Sequence, residues 1–246
     1  MHQELSVINK KEKFGYWKDT GIMVRGEAAV NLTAMFLTVW NAVRPTDTDF
    51  SRLLPHAYHS GIFQGDGFVQ PYGDMPLDKE TVGENVYLNM ISAARKYLYI
   101  FTPYLIVDDE IKEALKLAVK SGVDVRLITP NIPDKKNVKL VTSYNYGELL
   151  RAGVRIYEYT PGFIHAKTIL TEDCGIIGTI NMDYRSFYLH YECGALIYNK
   201  EALQPAYEDL LATMDISHEI TYEEWKHRPL WVKIKQNFLN LFATLM

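Results

Sequence analysis

Cysteine, a basic excess and long apolar runs are what this 246-residue sequence lacks. Its two cysteines, Cys174 and Cys193, stand in apolar contexts without the paired spacing of a metal site. Both are read as reduced, buried side chains, so neither a disulfide nor a zinc site is expected. The net charge of −4, from 26 Lys and Arg against 30 Asp and Glu, argues against the basic footprint by which bulk nucleic-acid binders neutralise phosphates, and no nucleic-acid partner is expected. No stretch reaches the ~18 consecutive apolar residues of a membrane span. The opening Met-His-Gln-Glu-Leu lacks the basic and apolar regions of a signal peptide, which places the chain on the cytoplasmic side. What is present, 48% hydrophobic and 13% aromatic residues, suffices for one sizeable core, or one domain with a smaller appendage.

From residue 97 onward, apolar periodicity alternates between strand and helix. An apolar run at 97–101 precedes a helix from about Asp108 with Ile111, Leu115, Ala118 and Val119 on one face, ended by Gly122 in a left-handed conformation. Val123, Val125 and Leu127 alternate as a strand, 137–151 read as a helix and 154–157 as a further strand. Short β runs at 165–170 and 176–180 predict a hairpin, followed by a strand at 192–198 and a helix at 201–214. This is an α/β fold. The Pro-, Gly-, Asp- and His-rich stretch 44–78 shows no sustained period and reads as a long surface connection.

The chemistry concentrates at His165-Ala-Lys167, followed by Gly178-Thr179-Ile-Asn181. On a strand, residues two apart share a face, so His165 and Lys167 are expected to converge on one ligand, with Thr179 and Asn181 brought alongside by the hairpin. An imidazole, a cation, a hydroxyl and an amide donor are what phosphodiester transfer requires: a nucleophile or proton donor, and fixed donors for the non-bridging oxygens. Arg185 and Ser186 either contact phosphate or fix their loop, and Tyr104, after Thr102-Pro103, either lines the pocket or packs at its mouth.

The pattern His-x-Lys, an acidic residue five positions on, then Gly-Thr-x-Asn resembles the His-Lys-Asp signature of the phospholipase D superfamily. Tyr16-Trp-Lys-Asp-Thr-Gly21, Thr129-Pro130 with Pro133-Asp-Lys135, Pro161-Gly-Phe163 and Asn181-Met-Asp-Tyr-Arg-Ser-Phe187 extend the likeness, over nearly the whole chain, to cardiolipin synthases of the Gram-positive type. The resemblance implies the mixed sheet flanked by helices of that superfamily. It also implies a phosphatidyltransferase that converts two phosphatidylglycerols into cardiolipin and glycerol through a phosphohistidine, without metal or other cofactor. By the same resemblance His165 is one of two catalytic histidines, as nucleophile or as proton donor. Lys167 and Asn181 hold phosphate oxygens, and Glu192 orients the motif histidine. Glu172 stands where the signature has Asp, a position whose role is largely structural.

Such enzymes carry two copies of the motif, and no second His-x-Lys occurs here. The echo between Asp19-Thr-Gly21-Ile-Met-Val24 and Glu192-Cys-Gly194-Ala-Leu-Ile197 marks Asp19 as the orienting acid of a first copy whose histidine is missing. The organisation expected is therefore 1–45 as the tail of a first half, 46–78 as connection, 79–215 as the second catalytic half and 216–246 as a C-terminal amphipathic segment. That segment sets Trp231, Ile234, Phe238, Leu241, Phe242 and Leu245 at helical spacing, suited either to a membrane surface or to packing on its own domain. The partners expected are a phospholipid, a membrane surface, and a missing N-terminal half or a second copy. The alternatives are a homodimeric phosphodiesterase or nuclease with two copies of His165 across a two-fold axis, and a non-catalytic lipid-binding remnant.

Overall fold

Helix boundaries follow from local chemistry in this computed structural model, which describes residues 11–45, 49–54, 65–77 and 79–245. The chain begins with α1 (Lys11–Phe14), β1 (Tyr16–Lys18) and α2 (Ala28–Val43), then a 3₁₀ turn at Phe50–Leu53 and β2 (Phe68–Asp74). Next come α3 (Val82–Ala93), β3 (Tyr97–Phe101), β4 (Leu105–Ile106), α4 (Asp109–Lys120), β5 (Asp124–Pro130), α5 (Lys136–Ala152) and β6 (Arg155–Tyr159). The functional region holds β7 (Gly162–Ile164), β8 (Thr168–Thr171), β9 (Gly175–Gly178), β10 (Met182–Asp183), α6 (Tyr184–Tyr188) and β11 (Glu192–Tyr198). The remainder is α7 (Lys200–Asp215), β12 (Ser217–Ile220), α8 (Tyr222–Lys226), α9 (Leu230–Asn240) and a last 3₁₀ turn at Ala243–Leu245.

Helix α4 shows why these stretches fold as they do. Asp108 caps it by accepting from the Ile111 N–H at 3.0 Å, Asp109 and Glu110 occupy the first turn and Lys120 the last, each suited to the helix dipole. Ile111, Leu115 and Ala118 form its buried stripe, and Gly122 leaves the helix at φ 92°, a conformation open to glycine. Gly153 ends α5 in the same way, at φ 106°.

Eight strands form one sheet in the order β12-β6-β5-β3-β8-β9-β11-β2. Strands β3, β5 and β6 run parallel, and the other neighbours pair antiparallel, including the β8–β9 hairpin. Alternate residues face opposite sides of a strand. Leu98 and Ile100 of β3 accordingly join a core with Tyr87, Leu115 and Leu149, from α3, α4 and α5. Tyr99 and Phe101 join another with Leu203, Leu210 and Met214 of α7. Covering both faces makes the central strands near-continuous apolar runs.

Two sequence expectations change. The connection read as irregular contains β2, an edge strand antiparallel to β11 with Asp74 opposite Glu192 and Pro71 opposite Ala195. Pro71 and Gly73 hide it from pattern reading, yet an edge strand tolerates a residue without an N–H. Residues 46–48, 55–64 and 78 of that stretch lie outside the described residues, as do residues 1–10 and 246. The run expected as one strand over 165–170 is instead broken. Residues 165–167 are not strand: they carry the chain from β7, which ends at Ile164 and pairs with β1 in a separate two-stranded ribbon, across to β8 in the main sheet.

The C-terminal segment packs on its own domain with one side of α9 and leaves the other side exposed. Helix α9 packs on α5 through Gln236, buried, which donates to Ser143 Oγ at 2.8 Å and accepts from Arg228 Nε at 2.5 Å. Trp231, Ile234 and Phe238 point outward, 67%, 61% and 60% exposed. No helix among the described residues is long and apolar enough to cross a membrane.

Helix α8 lies against Gly147 of α5, where an added Cβ would meet the Trp225 ring at 2.1 Å, while Trp225 Nε1 donates to the Ser143 carbonyl at 2.7 Å. Helix propensity alone favours Ala over Gly by about 1 kcal/mol, but overpacking costs about 1–3 kcal/mol. Gly147→Ala is therefore expected to lower the thermal midpoint; a raised midpoint in calorimetry would contradict this packing.

Candidate active site

Residues 165–167 are positioned from two directions. The His165 N–H donates to the Lys18 carbonyl at 2.7 Å, and the Gly178 N–H donates to the Lys167 carbonyl at 3.2 Å. Strand β1 is in turn held to α7 by the Lys18–Asp209 ion pair at 2.6 Å. This register sets Asp19, the residue after β1, against the imidazole, with His165 Nδ1 and Asp19 Oδ2 2.9 Å apart. A carboxylate on Nδ1 selects the Nδ1–H tautomer and leaves the Nε2 lone pair outward, the orientation a nucleophile or proton carrier needs. The ring rests against Trp17 and Phe163, at centroid distances of 5.3 and 6.2 Å, and its side chain is 42% exposed.

Lys167 is buried and turns back so that Nζ donates to the His165 carbonyl. Burial pulls its pKa from 10.5 down to about 8, opposed by the fields of Asp19, Glu192, Asp183 and Asp134. Burial alone would raise the pKa of Asp19, yet it lies below its ordinary value because the hydrogen bond and field of His165, the field of Lys167 and the Thr20 N–H all favour its carboxylate. The histidine and lysine therefore meet through a turn between two strands rather than by sharing one strand face.

Glu192 has partners other than the one expected. It was expected to orient His165, but Asp19 occupies that place. Glu192, at the start of β11 and 9% exposed, accepts from Thr179 Oγ1 and from Ser186 Oγ at 3.0 Å, with His190 Nδ1 at 3.4 Å. The reason is topological: β1, paired with β7, reaches the imidazole first, while β11 lies beyond β9 in the sheet. Thr179 and Ser186, expected at the substrate, are thus engaged by Glu192. Asn181 lies within hydrogen-bonding reach of Asp183, and its Oδ1 is buried without a partner among the described residues. Asp183 caps α6 by accepting from the Ser186 N–H at 2.8 Å, and burial raises its pKa.

Glu172 sits at the far end of β8 from Lys167, a separation of roughly 16 Å along an extended chain. It accepts from the N–H groups of Arg95 and Lys96 at 2.9 and 3.2 Å, which fixes the start of β3. Burial raises its pKa, but these backbone donors bring it below the ordinary value. Tyr104 donates to Asp134 Oδ2 at 2.6 Å, and its ring lies 6.5 Å from that of Phe163. Its phenol is pushed far up, by burial first and then by Asp134. Arg185 is exposed and lines a cleft with Lys135, Lys136, Asn137 and Val138.

Asp134 and Asp183 join the carboxylates around Lys167 although neither stood out in the sequence. Asp19 did, through its echo of Glu192, but as an acid without a histidine. Among the described residues no grouping of three or more His, Cys, Asp or Glu could hold a metal ion. Thr20, Asp134, Thr168 and Asn181 each carry a buried oxygen without a partner among the described residues. Buried polar atoms are ordinarily paired, so these four are exceptions in and beside the segments that carry Asp19 and Lys167.

Comparison with known proteins bears on the family and the fold. Residues 87–213 match the family model described as cardiolipin synthase, PLD-like domain. The chain is similar to an uncharacterized protein of Streptococcus mutans, 42% identical over 240 residues, covering 97% of this chain and 51% of that protein. It is similar also to the cardiolipin synthase of Geobacillus kaustophilus, 37% identical over 243 residues, with 97% and 47% covered. The chain thus spans about half the length of the curated relatives it matches. In fold it resembles the phospholipase D family member Nuc from Salmonella typhimurium, at TM-score 0.54 and 18% identity, covering 63% of this chain and 99% of that one. The mixed sheet, the His165–Lys167 motif and the match over 87–213 agree, and the chain belongs to the cardiolipin synthase group of phospholipase D-like proteins.

Proposed function

We propose that this chain supplies the His165 half of a phosphatidyltransfer site that converts two phosphatidylglycerols into cardiolipin and glycerol. The observation that carries this reading is the half-exposed imidazole of His165, held at Nδ1 by Asp19 beside the buried ammonium of Lys167. In the first step one imidazole attacks phosphorus. A P–N bond forms, the P–O bond to the head-group glycerol breaks, and a second imidazole gives its proton to the departing alkoxide. The hydroxyl of the second lipid then attacks phosphorus, the P–N bond breaks, and that proton returns to the second imidazole. Lys167 neutralises charge on the non-bridging oxygens throughout.

His165 takes one of these two roles, and the other imidazole comes from a first half or a second copy of the chain. Glu192, in the place that mirrors Asp19, is its orienting carboxylate. The outward apolar side of α9, with Lys235 beside it, lies on a bilayer as a peripheral contact, since apolar burial together with cationic contact to anionic lipid is what such helices use.

Alone, the chain is expected to form little cardiolipin from phosphatidylglycerol vesicles when the product is measured by mass spectrometry. Robust turnover by a monomer would overturn the two-imidazole arrangement. A dimer in sedimentation with His165-dependent cleavage of DNA would replace it with the homodimeric nuclease.

The pH dependence of phosphate binding tests Lys167. Because its folded pKa is depressed, the cost of burying the ammonium is present below about pH 8 and disappears as pH rises from about 8 to 10.5. Affinity runs the other way, since the neutral amine has no charge to offer. Binding of a soluble phosphodiester is expected to weaken through about pH 8, roughly tenfold per unit above it, and to be weak and pH-independent over that range in Lys167→Gln. A flat wild-type profile would remove Lys167 from the phosphate site.

The double substitution Trp231→Glu and Phe238→Glu alters two exposed side chains and is expected to abolish co-sedimentation with anionic vesicles while leaving the melting curve unchanged. Unchanged co-sedimentation would discard the membrane role of α9.

A further inference from the structure

Outside the constellation around His165, one concave feature combines size, charge and position. Lys135, Lys136 and Arg185 line a cleft of about 500 Å³ together with Asn137 and Val138. All three cations are exposed. In a chain of net charge −4 they are nearly unneutralised: the sole ion pair among them, between described residues, is Lys135 with Asp134 at 3.9 Å. The cleft floor is the first turn of α5, which holds no acidic residue and no side-chain cap. Two lysines at the positive end of a helix run against its dipole, an arrangement that an anion in the cleft would relieve.

A chain of side-chain contacts links the cleft to the candidate active site. Asp134 and Asp183, each within two residues of a cleft cation, act electrostatically on Lys167. Lys135 Nζ lies 5.2 Å from the Tyr104 ring centroid, and the contacts Tyr104–Phe163 and Phe163–His165 continue the path to the imidazole. Asp134 Oδ2 joins Tyr104, at 2.6 Å, to Lys135, at 3.9 Å. The turn Ala243–Leu245 packs against α6, the helix that carries Arg185, so the outward apolar surface of the C-terminal segment continues toward the cleft.

We propose that this cleft is a second anion subsite, which seats the phosphodiester of the acceptor lipid. This rests on the phosphatidyltransfer reading of His165 and Lys167. Such a place suits the chemistry, because transfer brings two phosphodiester anions within one glycerol of each other. The second anion gains from cations of its own, and Arg185 with its two neighbouring lysines is suited to hold a phosphate by several donors at once.

The test titrates the chain with dihexanoyl phosphatidylglycerol below its micelle concentration, reading stoichiometry by calorimetry and location by NMR of the His165 ring and the Arg185 Nε–H. Wild type is expected to bind two molecules. The triple variant Lys135→Ala, Lys136→Ala, Arg185→Ala is expected to bind one, with affinity at the lost site down at least tenfold. Lys167→Ala is also expected to bind one, at the other site, and circular dichroism verifies that both variants are folded. If the triple variant still binds two molecules, the subsite is overturned while the reading of Lys167 stands. If Lys167→Ala binds two and the triple variant one, the cleft is real and the active-site reading has failed. A parallel titration with inorganic phosphate separates the sources of the anion: weaker binding than the short-chain lipid is expected, and equal or tighter binding at Arg185 overturns the assignment to lipid.

Discussion

The three-residue parallel pairing of β1 with β7 decides the chemistry of this molecule more than any other interaction. It is short, and Lys18 fastens it to α7 through Asp209. By pairing Lys18 with Ile164 it places the next residue on each strand, Asp19 and His165, side by side. The carboxylate then sets the tautomer of the ring, and the ring's open nitrogen faces solvent. A one-residue slip would turn Asp19 to the opposite face, since side chains alternate along a strand. The imidazole would then lose its orienting acid without any change to the motif that names it.

Around that pair the molecule gathers negative charge to hold one buried cation. Lys167 is taken out of water, which disfavours its ammonium, and carboxylates from four separate places in the chain lean the other way: Asp19 after β1, Asp134 before α5, Asp183 in β10 and Glu192 in β11. The result is an ammonium with a pKa of about 8, charged at neutral pH and poorly hydrated. Such a cation favours an incoming phosphate more than an exposed lysine would, because water no longer competes for it. The cleft at Lys135, Lys136 and Arg185 differs, since among its three exposed cations the one ion pair between described residues is Lys135 with Asp134 at 3.9 Å.

Much of the architecture was legible from period and punctuation. The α4 stripe, its Asp108 cap and its Gly122 exit are local facts, as are the β8–β9 hairpin and the strands of β3, β5 and β6. What escaped reading were elements that depend on a partner. Strand β2 carries Pro71 and Gly73 and looks like a loop until β11 offers it an edge. The break at 165–167 is invisible because Phe163, Ile164, Ile169 and Leu170 put apolar residues on both sides of the motif. The split character of α9 was also hidden, since its spacing alone does not say whether Trp231 or Gln236 turns toward α5.

The order of residues by itself determined that the chain is an α/β protein, from its periodicity, and that His165 and Lys167 stand two apart with Asn181 after the hairpin; the likeness to the phospholipase D superfamily rested on its motifs. Only the tertiary structure decided which acid serves the histidine, which hydroxyls serve Glu192, how far Lys167 is removed from water, and which cations are left facing a cleft. Those outcomes depend on the register and crossing of segments far apart in the chain, as Asp19 and His165 are, and sequence periodicity carries no information about such meetings.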